Sequence, residues 1–181
     1  MAKLTTQKAR KEYVCERCKR TIHKGESYYK IMEQFRPERI RCNECRPERS
    51  ELTSSEYLSW LWNLQDHIDD YDLRSEEGKD DLYAELESQR DDLQERLDNM
   101  PEQLQYAPTG EMLQERIDAI QSAIDDIDSV EYPDKDDYTV ERDDYEDEDE
   151  YNEAKEDKDS EYESAIDEFE QAIIDAVNSI E

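Results

Sequence analysis

Glycine is nearly absent, with three residues in 181. That scarcity argues against glycine-rich phosphate-cradling loops and against large β-folds, whose tight turns need residues that accept positive φ. Apolar residues are also few, 34% against 42% charged. This is too little for a thick core, but it suits thin helical layers that each bury one stripe. No apolar run approaches the ~20 residues that a membrane span requires. The opening Met1-Ala-Lys-Leu-Thr-Thr carries charge with no apolar stretch behind it, unlike a signal peptide. Histidine occurs twice. H-E-x-x-H, G-x-S-x-G and the dinucleotide-binding glycine pattern are missing, and no D-x-D-x-D-G loop suggests an EF-hand. Carboxylates number 53, so no pair stands out for acid–base work. The expectation is a protein that is not an enzyme.

What is present is unevenly placed. Residues 1–50 hold 14 Lys/Arg against 7 Asp/Glu, a net of +7. Residues 51–181 hold 9 against 46, a net of −37. All four cysteines, Cys15, Cys18, Cys42 and Cys45, fall in the basic part as two C-x-x-C pairs. Each C-x-x-C turn aims two thiolates at one point, and two turns side by side complete a tetrahedral shell suited to Zn²⁺. The spacing also fits two redox pairs, but no βαβ pattern surrounds either. A closed four-thiolate shell leaves no open position for catalysis. His23 could stand in as a ligand, although four thiolates already fill the shell and a turn position suits it better. Paired thiols that hold metal imply a reducing compartment, so the expected location is the cytoplasm.

Around the cysteines, Tyr13-Val14 leads into Cys15-Glu-Arg-Cys18. Gly25 is expected at the turn of a β-hairpin that continues through Tyr28, Tyr29 and Ile31, and Ile40-Arg-Cys42 reads as a short return strand. Residues 13–46 thus resemble a zinc-ribbon or treble-clef finger. The resemblance rests on the first C-x-x-C knuckle, on Ile22-x-x-Gly25-Glu-x-Tyr28, and on the returning Cys42-x-x-Cys45. It implies metal binding and no particular partner. In a treble clef the second pair opens a helix; here Pro47 leaves either a helical turn or an irregular link. So small a head is too thin for burial alone, and zinc would contribute roughly 10–16 kcal/mol. Arg17, Lys19, Arg20, Lys24, Lys30, Arg36, Arg39, Arg41, Arg46 and Arg49 crowd it, with Glu12, Glu16, Glu33, Glu38, Glu44 and Glu48 interleaved. With the tyrosines they could meet nucleic acid, or they could dock on the chain's own acidic body.

Residues 51–130 read as three helices. Thr53 and Glu56 form a capping box for the first, which runs to about Tyr71 with Tyr57, Leu61, Leu64, Ile68 and Tyr71 as its seam. Trp60 and His67 line a flank as edge packing. Ser75 caps a second helix that carries Leu82, Leu86, Leu93, Leu97 and Met100, with Gln89 or Arg90 in the seam, and Pro101 ends it. Leu104 and Tyr106 should anchor an ordered loop. Thr109 caps a third helix with Leu113, Ile117, Ile120, Ile124 and Ile127 as its seam, widened by Met112, Ala119 and Ala123. An antiparallel hairpin of the second and third helices is the economical arrangement. Residues 98–117 are similar to helical hairpins of uncharacterised bacteriophage proteins, a likeness that suggests a viral source and a host-cytoplasmic setting and implies no chemistry.

Residues 131–151, which hold Tyr132, Tyr138, Tyr145 and Tyr151, read as an acidic flexible linker. Acid runs punctuated by aromatics suit contact with a basic, partly apolar surface. Residues 152–181 regain helical periodicity through Tyr162, Ile166, Phe169, Ile173, Val177 and Ile180. This stripe is too apolar to stay wet. It should pack on the other helices as a four-helix bundle, on a second copy, or on a partner. The fold class expected is mainly α: a small β-hairpin zinc finger (1–50), an acidic three-helix body (51–130), the linker (131–151) and a last amphipathic helix (152–181). Two functions fit. One is a zinc-binding adaptor whose acidic helical surface binds a basic protein, as a DNA mimic would. The other is a small regulator that holds nucleic acid through residues 1–50.

Overall fold

In the computed structural model the chain begins with a strand that the sequence does not advertise. β1 (Lys3–Lys8) is polar and mostly exposed, yet it pairs antiparallel with β4 (Ser27–Met32) from Lys3↔Met32 to Lys8↔Ser27. β4 in turn pairs antiparallel with β5 (Arg39–Cys42), giving a three-stranded sheet in the order β1-β4-β5. Two short strands, β2 (Tyr13–Val14) and β3 (Thr21–Ile22), form a separate antiparallel ladder. The expected hairpin across Gly25 is therefore corrected. Thr21–Ile22 pairs backwards with β2, and Gly25, at φ +95°, turns the chain from one sheet into the other. A residue with a Cβ rarely adopts that φ. The structure describes residues 2–32 and 37–181; Glu33 and Arg36 lie outside the described residues.

Two compact units divide the chain, Met1–His67 and Ile68–Glu181. The first contains both sheets and α1 (Glu56–Asp66). Its cap is Ser55 and not Thr53: Ser55 Oγ accepts from Leu58 N–H at 3.3 Å, while Thr53 Oγ1 accepts from Ser55 N–H at 3.1 Å. α1 stops at Asp66 and not at Tyr71, and the His67 N–H closes onto Asn63 and Leu64 carbonyls. Tyr57, Leu61 and Leu64 are buried as expected of the seam, whereas Ile68 belongs to the second unit. Trp60 packs on Tyr57 with ring centroids 6.0 Å apart, and His67 Nδ1 lies 3.0 Å from the Asn63 carbonyl oxygen.

The second unit is a helical hairpin with a third long helix against it. α2 (Glu76–Asp98) is capped by Ser75, whose Oγ accepts from Gly78 N–H at 3.1 Å. A single turn, α3 (Glu102–Gln105), leads into α4 (Pro108–Asp128). Ala107 takes the cap position instead of Thr109, because Pro108 suits the first helical position: its fixed φ is helical and it has no N–H to leave unpaired. α2 and α4 run antiparallel. Lys79 Nζ meets the Val130 carbonyl, and Arg90 Nη1 donates to Gln121 Oε1 at 2.9 Å, so contacts rise along one helix as they fall along the other. Leu82, Leu86, Leu93 and Leu97 face Ile117, Ile120, Ala123, Ile124 and Ile127 in a sealed layer. Met112 points to solvent, as do Leu104 and Tyr106, so none of the three anchors the core.

The last helix, α5 (Glu148–Asn178), starts before Asn152 and packs on α4, burying Ile166, Phe169, Ile173, Ala176 and Val177. Within this unit the bundle has three long helices and not four. Arg74 fixes one flank by reaching Glu163 (2.7 Å), Asp167 and Glu170 on α5. The tyrosines of the acidic tract also face inward, onto α5. Tyr132 stands edge-on to Phe169 (5.2 Å), Tyr138 packs on Tyr162 (5.4 Å) and Tyr145 on Tyr151 (6.0 Å). The tract's two cations follow them, Lys135 over the Tyr162 ring and Arg142 over the Tyr151 ring. No described helix is long and apolar enough to cross a membrane.

Candidate metal centre

β2, the Cys15–Cys18 knuckle and β3 form one continuous turn. Cys15 N–H donates to the Arg20 carbonyl and Lys19 N–H to the Cys15 carbonyl, both at 2.9 Å. Lys19 adopts φ +61°, the left-handed region, to fold the chain back after the second cysteine. The other pair lies at the end of β5, where Cys45 N–H donates to the Cys42 carbonyl at 3.0 Å. One backbone bond joins the two turns: Glu16 N–H donates to the Ile40 carbonyl at 2.9 Å. It sets the first knuckle beside the strand that carries the second. Beyond Cys45 the chain passes the buried Pro47 into a single 3₁₀ turn, Arg49–Leu52, before α1. The second pair therefore does not open an α-helix.

The result brings Cys15, Cys18, Cys42 and Cys45 together, with all four sulfurs within 4.8 Å of one another and Cys18 Sγ 3.6 Å from Cys42 Sγ. Bonds of about 2.3 Å from a tetrahedral ion set S···S edges near 3.8 Å. The four thiols are thus spaced as a group that could hold a metal ion. Cys15 and Cys42 are buried, Cys45 is half-buried and Cys18 is exposed. The buried pair packs with Ala9, Ile22 and Tyr28, and Tyr13, Ile40 and Cys45 flank this small core. His23 takes no part; its Nδ1 lies 3.1 Å from Glu12 Oε1.

The electrostatics of the thiols differ across the group. Burial pushes the Cys15 thiol up, but backbone groups of Cys18, Cys42 and Arg17 hydrogen-bonding to its sulfur outweigh that and bring it down to about 6. Cys45 is pushed up to about 12, first by its hydrogen bond with Cys18 and then by burial. These thiols thus titrate as a group, with Cys15 shifted toward the thiolate and Cys45 toward the thiol.

Several of the head's cations have carboxylate partners within the first unit. Arg17 pairs with Glu48 (2.7 Å), Arg20 with Glu44 and Glu26, Lys30 with Glu38 (2.6 Å) and Arg49 with Asp66 (2.7 Å). Arg41 meets Glu51 and Glu16. Of these five, Arg17, Arg20 and Lys30 pair inside residues 1–50, whereas Arg41 and Arg49 reach Glu51 and Asp66 in the segment read as the acidic body. Sequence reasoning missed β1 and the Glu16–Ile40 bond, both backbone features with no residue-type signal. Comparison with protein-family models, curated proteins and solved structures finds no match to this chain, and so lends no support to the likeness to bacteriophage hairpins.

Proposed function

We propose that the protein is a zinc-binding interaction adaptor of a reducing, cytoplasmic compartment, whose acidic helical surface binds a basic partner as a DNA mimic does. The metal's role is to fix the head. Zinc suits a closed shell of four thiolates, since it is tetrahedral, redox-inert and thiophilic. Bound there, it would tie β5 to the knuckle between β2 and β3. Such a shell supports a structural ion with no reaction of its own.

The observation that carries the partner reading is the charge of the second unit, 9 Lys/Arg against 43 Asp/Glu over residues 68–181. Most of these acids sit on packed helices, where their spacing is fixed. α5 alone has 13 Asp/Glu and two Lys over 31 residues. At 1.5 Å per residue its length is about 46 Å, or one net negative charge per roughly 4 Å. Duplex DNA carries one per about 1.7 Å, so α5 and its neighbours together approach the line density of a nucleic-acid backbone. A protein that reads phosphates by charge would accept such a surface.

Pull-down from cell lysate with the full chain at low salt tests this. Basic nucleic-acid-binding proteins should be retained and then displaced by duplex DNA. Displacement by salt alone would keep the adaptor and remove the mimicry. Recovery of no basic protein would contradict both.

A second reading, nucleic-acid binding by the head, draws on Lys8, Arg10 and Lys24, which line one shallow depression with no carboxylate among its walls. Gel shifts with residues 1–67 and zinc check it. Salt-sensitive retardation lost in K8A/R10A/K24A would favour this reading, and no retardation would remove it.

A further inference from the structure

Three of the four large apolar side chains most exposed among the described residues fall within nine positions of one another. They are Leu104 at 51%, Tyr106 at 79% and Met112 at 41%. All lie where α2 turns through α3 into α4. Single exposed apolar residues are ordinary, but three at one end of a helical hairpin in a chain with so little apolar material are not. Helical side chains lean toward the N-terminus of their helix, so Met112 leans back over the first turn of α4.

The tip is held in shape. Pro101 and Pro108 bracket α3, Leu104 N–H donates to the Pro101 carbonyl at 2.7 Å, and Gln105 Nε2 donates to the Met100 carbonyl at 2.9 Å. Gly110 lies so close to the Gln105 carbonyl that a Cβ there would come within 2.1 Å of its oxygen. Tyrosine offers a large contact area at low side-chain entropy cost and is enriched at interface hot spots, and methionine adapts to irregular partner surfaces.

Charge selects the occupant. From Asp98 to Glu115 there are four carboxylates, Asp98, Glu102, Glu111 and Glu115, all exposed, with Arg96 and Arg116 flanking the stretch and no Lys or Arg inside it. A second copy would set these carboxylates against the same four and add to a net charge of −30. A cationic segment with apolar side chains would satisfy both the rim and the centre. We infer that the α2–α4 tip is a docking surface for a basic, amphipathic segment of a partner protein, with Leu104, Tyr106 and Met112 as its apolar anchors. This deepens the adaptor reading and rests on it.

The test uses the full chain and two fluorescent peptides of about 14 residues, one with leucines at helical spacing among lysines, the other polylysine of equal charge. Anisotropy titrations at about 0.15 M salt should show the leucine–lysine peptide binding at least tenfold more tightly. The L104S/Y106S/M112S variant should lose that advantage while binding polylysine as before. Its far-UV circular dichroism should match the wild type, because the three side chains are exposed. On the unsubstituted protein, amide shifts caused by the leucine–lysine peptide should centre on residues 98–116. Equal binding by both peptides, an unchanged variant, or shifts centred elsewhere would overturn the tip proposal and leave the adaptor standing. Concentration-dependent dimers that the variant abolishes would also overturn it, with a second copy as the occupant. Failure of both peptides at low salt would overturn the adaptor reading itself.

Discussion

Cys42 ends β5, is buried, and lies 3.6 Å from Cys18 across the thiol group. Replacing it by serine leaves three sulfurs and a ligand that zinc prefers far less. Cys42→Ser should reduce bound zinc from about one per chain to below about 0.1 and open the β1-β4-β5 sheet to hydrogen exchange, since the metal contributes on the order of 10–16 kcal/mol in such small sites. Elemental analysis paired with amide exchange reads both effects. Glu51 is the second telling residue. Burial alone would raise its carboxyl pKa, but hydrogen bonds from Arg41 and the Glu48 backbone hold it below the ordinary carboxylate range. A depressed folded value means that the stabilisation is present above the unfolded value, about 4.3, and is lost as pH falls through the folded one. Arg41 Nε is buried with no hydrogen-bond partner among the described residues, so loss of Glu51 would strand the guanidinium further. Glu51→Gln should cost about 1–3 kcal/mol at pH 7. In denaturant titrations the gap from wild type should close as pH drops below about 4. A gap that persists unchanged at low pH would refute the pairing.

The elements differ in how openly the sequence announces them. Cysteine is rare, so four in two C-x-x-C pairs carry nearly all the information about the candidate metal centre, and the structure brings those four together. The helical seams are also legible, because Leu82, Leu86, Leu93 and Leu97 or Ile117, Ile120, Ile124 and Ile127 repeat at the period that buries one face. Helix ends are less legible. Thr53 and Ser55 are near-equivalent starts, and at α4 Thr109 is the better cap by residue type, but Pro108 at the first helical position moves the start back to Ala107. β1 is hidden because Lys3–Lys8 has no alternation strong enough to mark a strand; its partner β4 supplies the order. The tyrosines of 131–151 are hidden for a similar reason. Their spacing matches no helix or strand, and the rings that receive them lie on α5. At the α3–α4 junction, Gly110→Ala provides a test in which two effects oppose. Alanine is the better helix former by up to about 1 kcal/mol. Its Cβ would nevertheless lie 2.1 Å from the Gln105 oxygen and 2.5 Å from the Gln105 carbonyl carbon, both backbone atoms. The clash should win, with a net loss of about 1–3 kcal/mol in chemical denaturation. A stabilised variant would show that the junction is looser than described.

At the scale of the whole molecule, opposite charge balances occupy the two units. Residues 1–67 hold 14 Lys/Arg against 10 Asp/Glu, and residues 68–181 hold 9 against 43. The acidic unit folds against its own repulsion, which salt screens within about 10 Å at 0.1 M. Its melting temperature should therefore rise by several degrees between about 0.01 and 0.5 M salt, followed by the helical circular dichroism signal. A flat or falling response would mean that local ion pairs such as those of Arg74 outweigh the repulsion. The other half of the account is that one metal ion organises the basic unit, and native mass spectrometry of the purified full chain tests it most directly. The predicted result is the mass of the chain plus one zinc ion per copy, with the ion removed only by strong chelator and the charge-state distribution then shifting toward an opened head. A metal-free mass with the same compact charge states before and after chelator would contradict it.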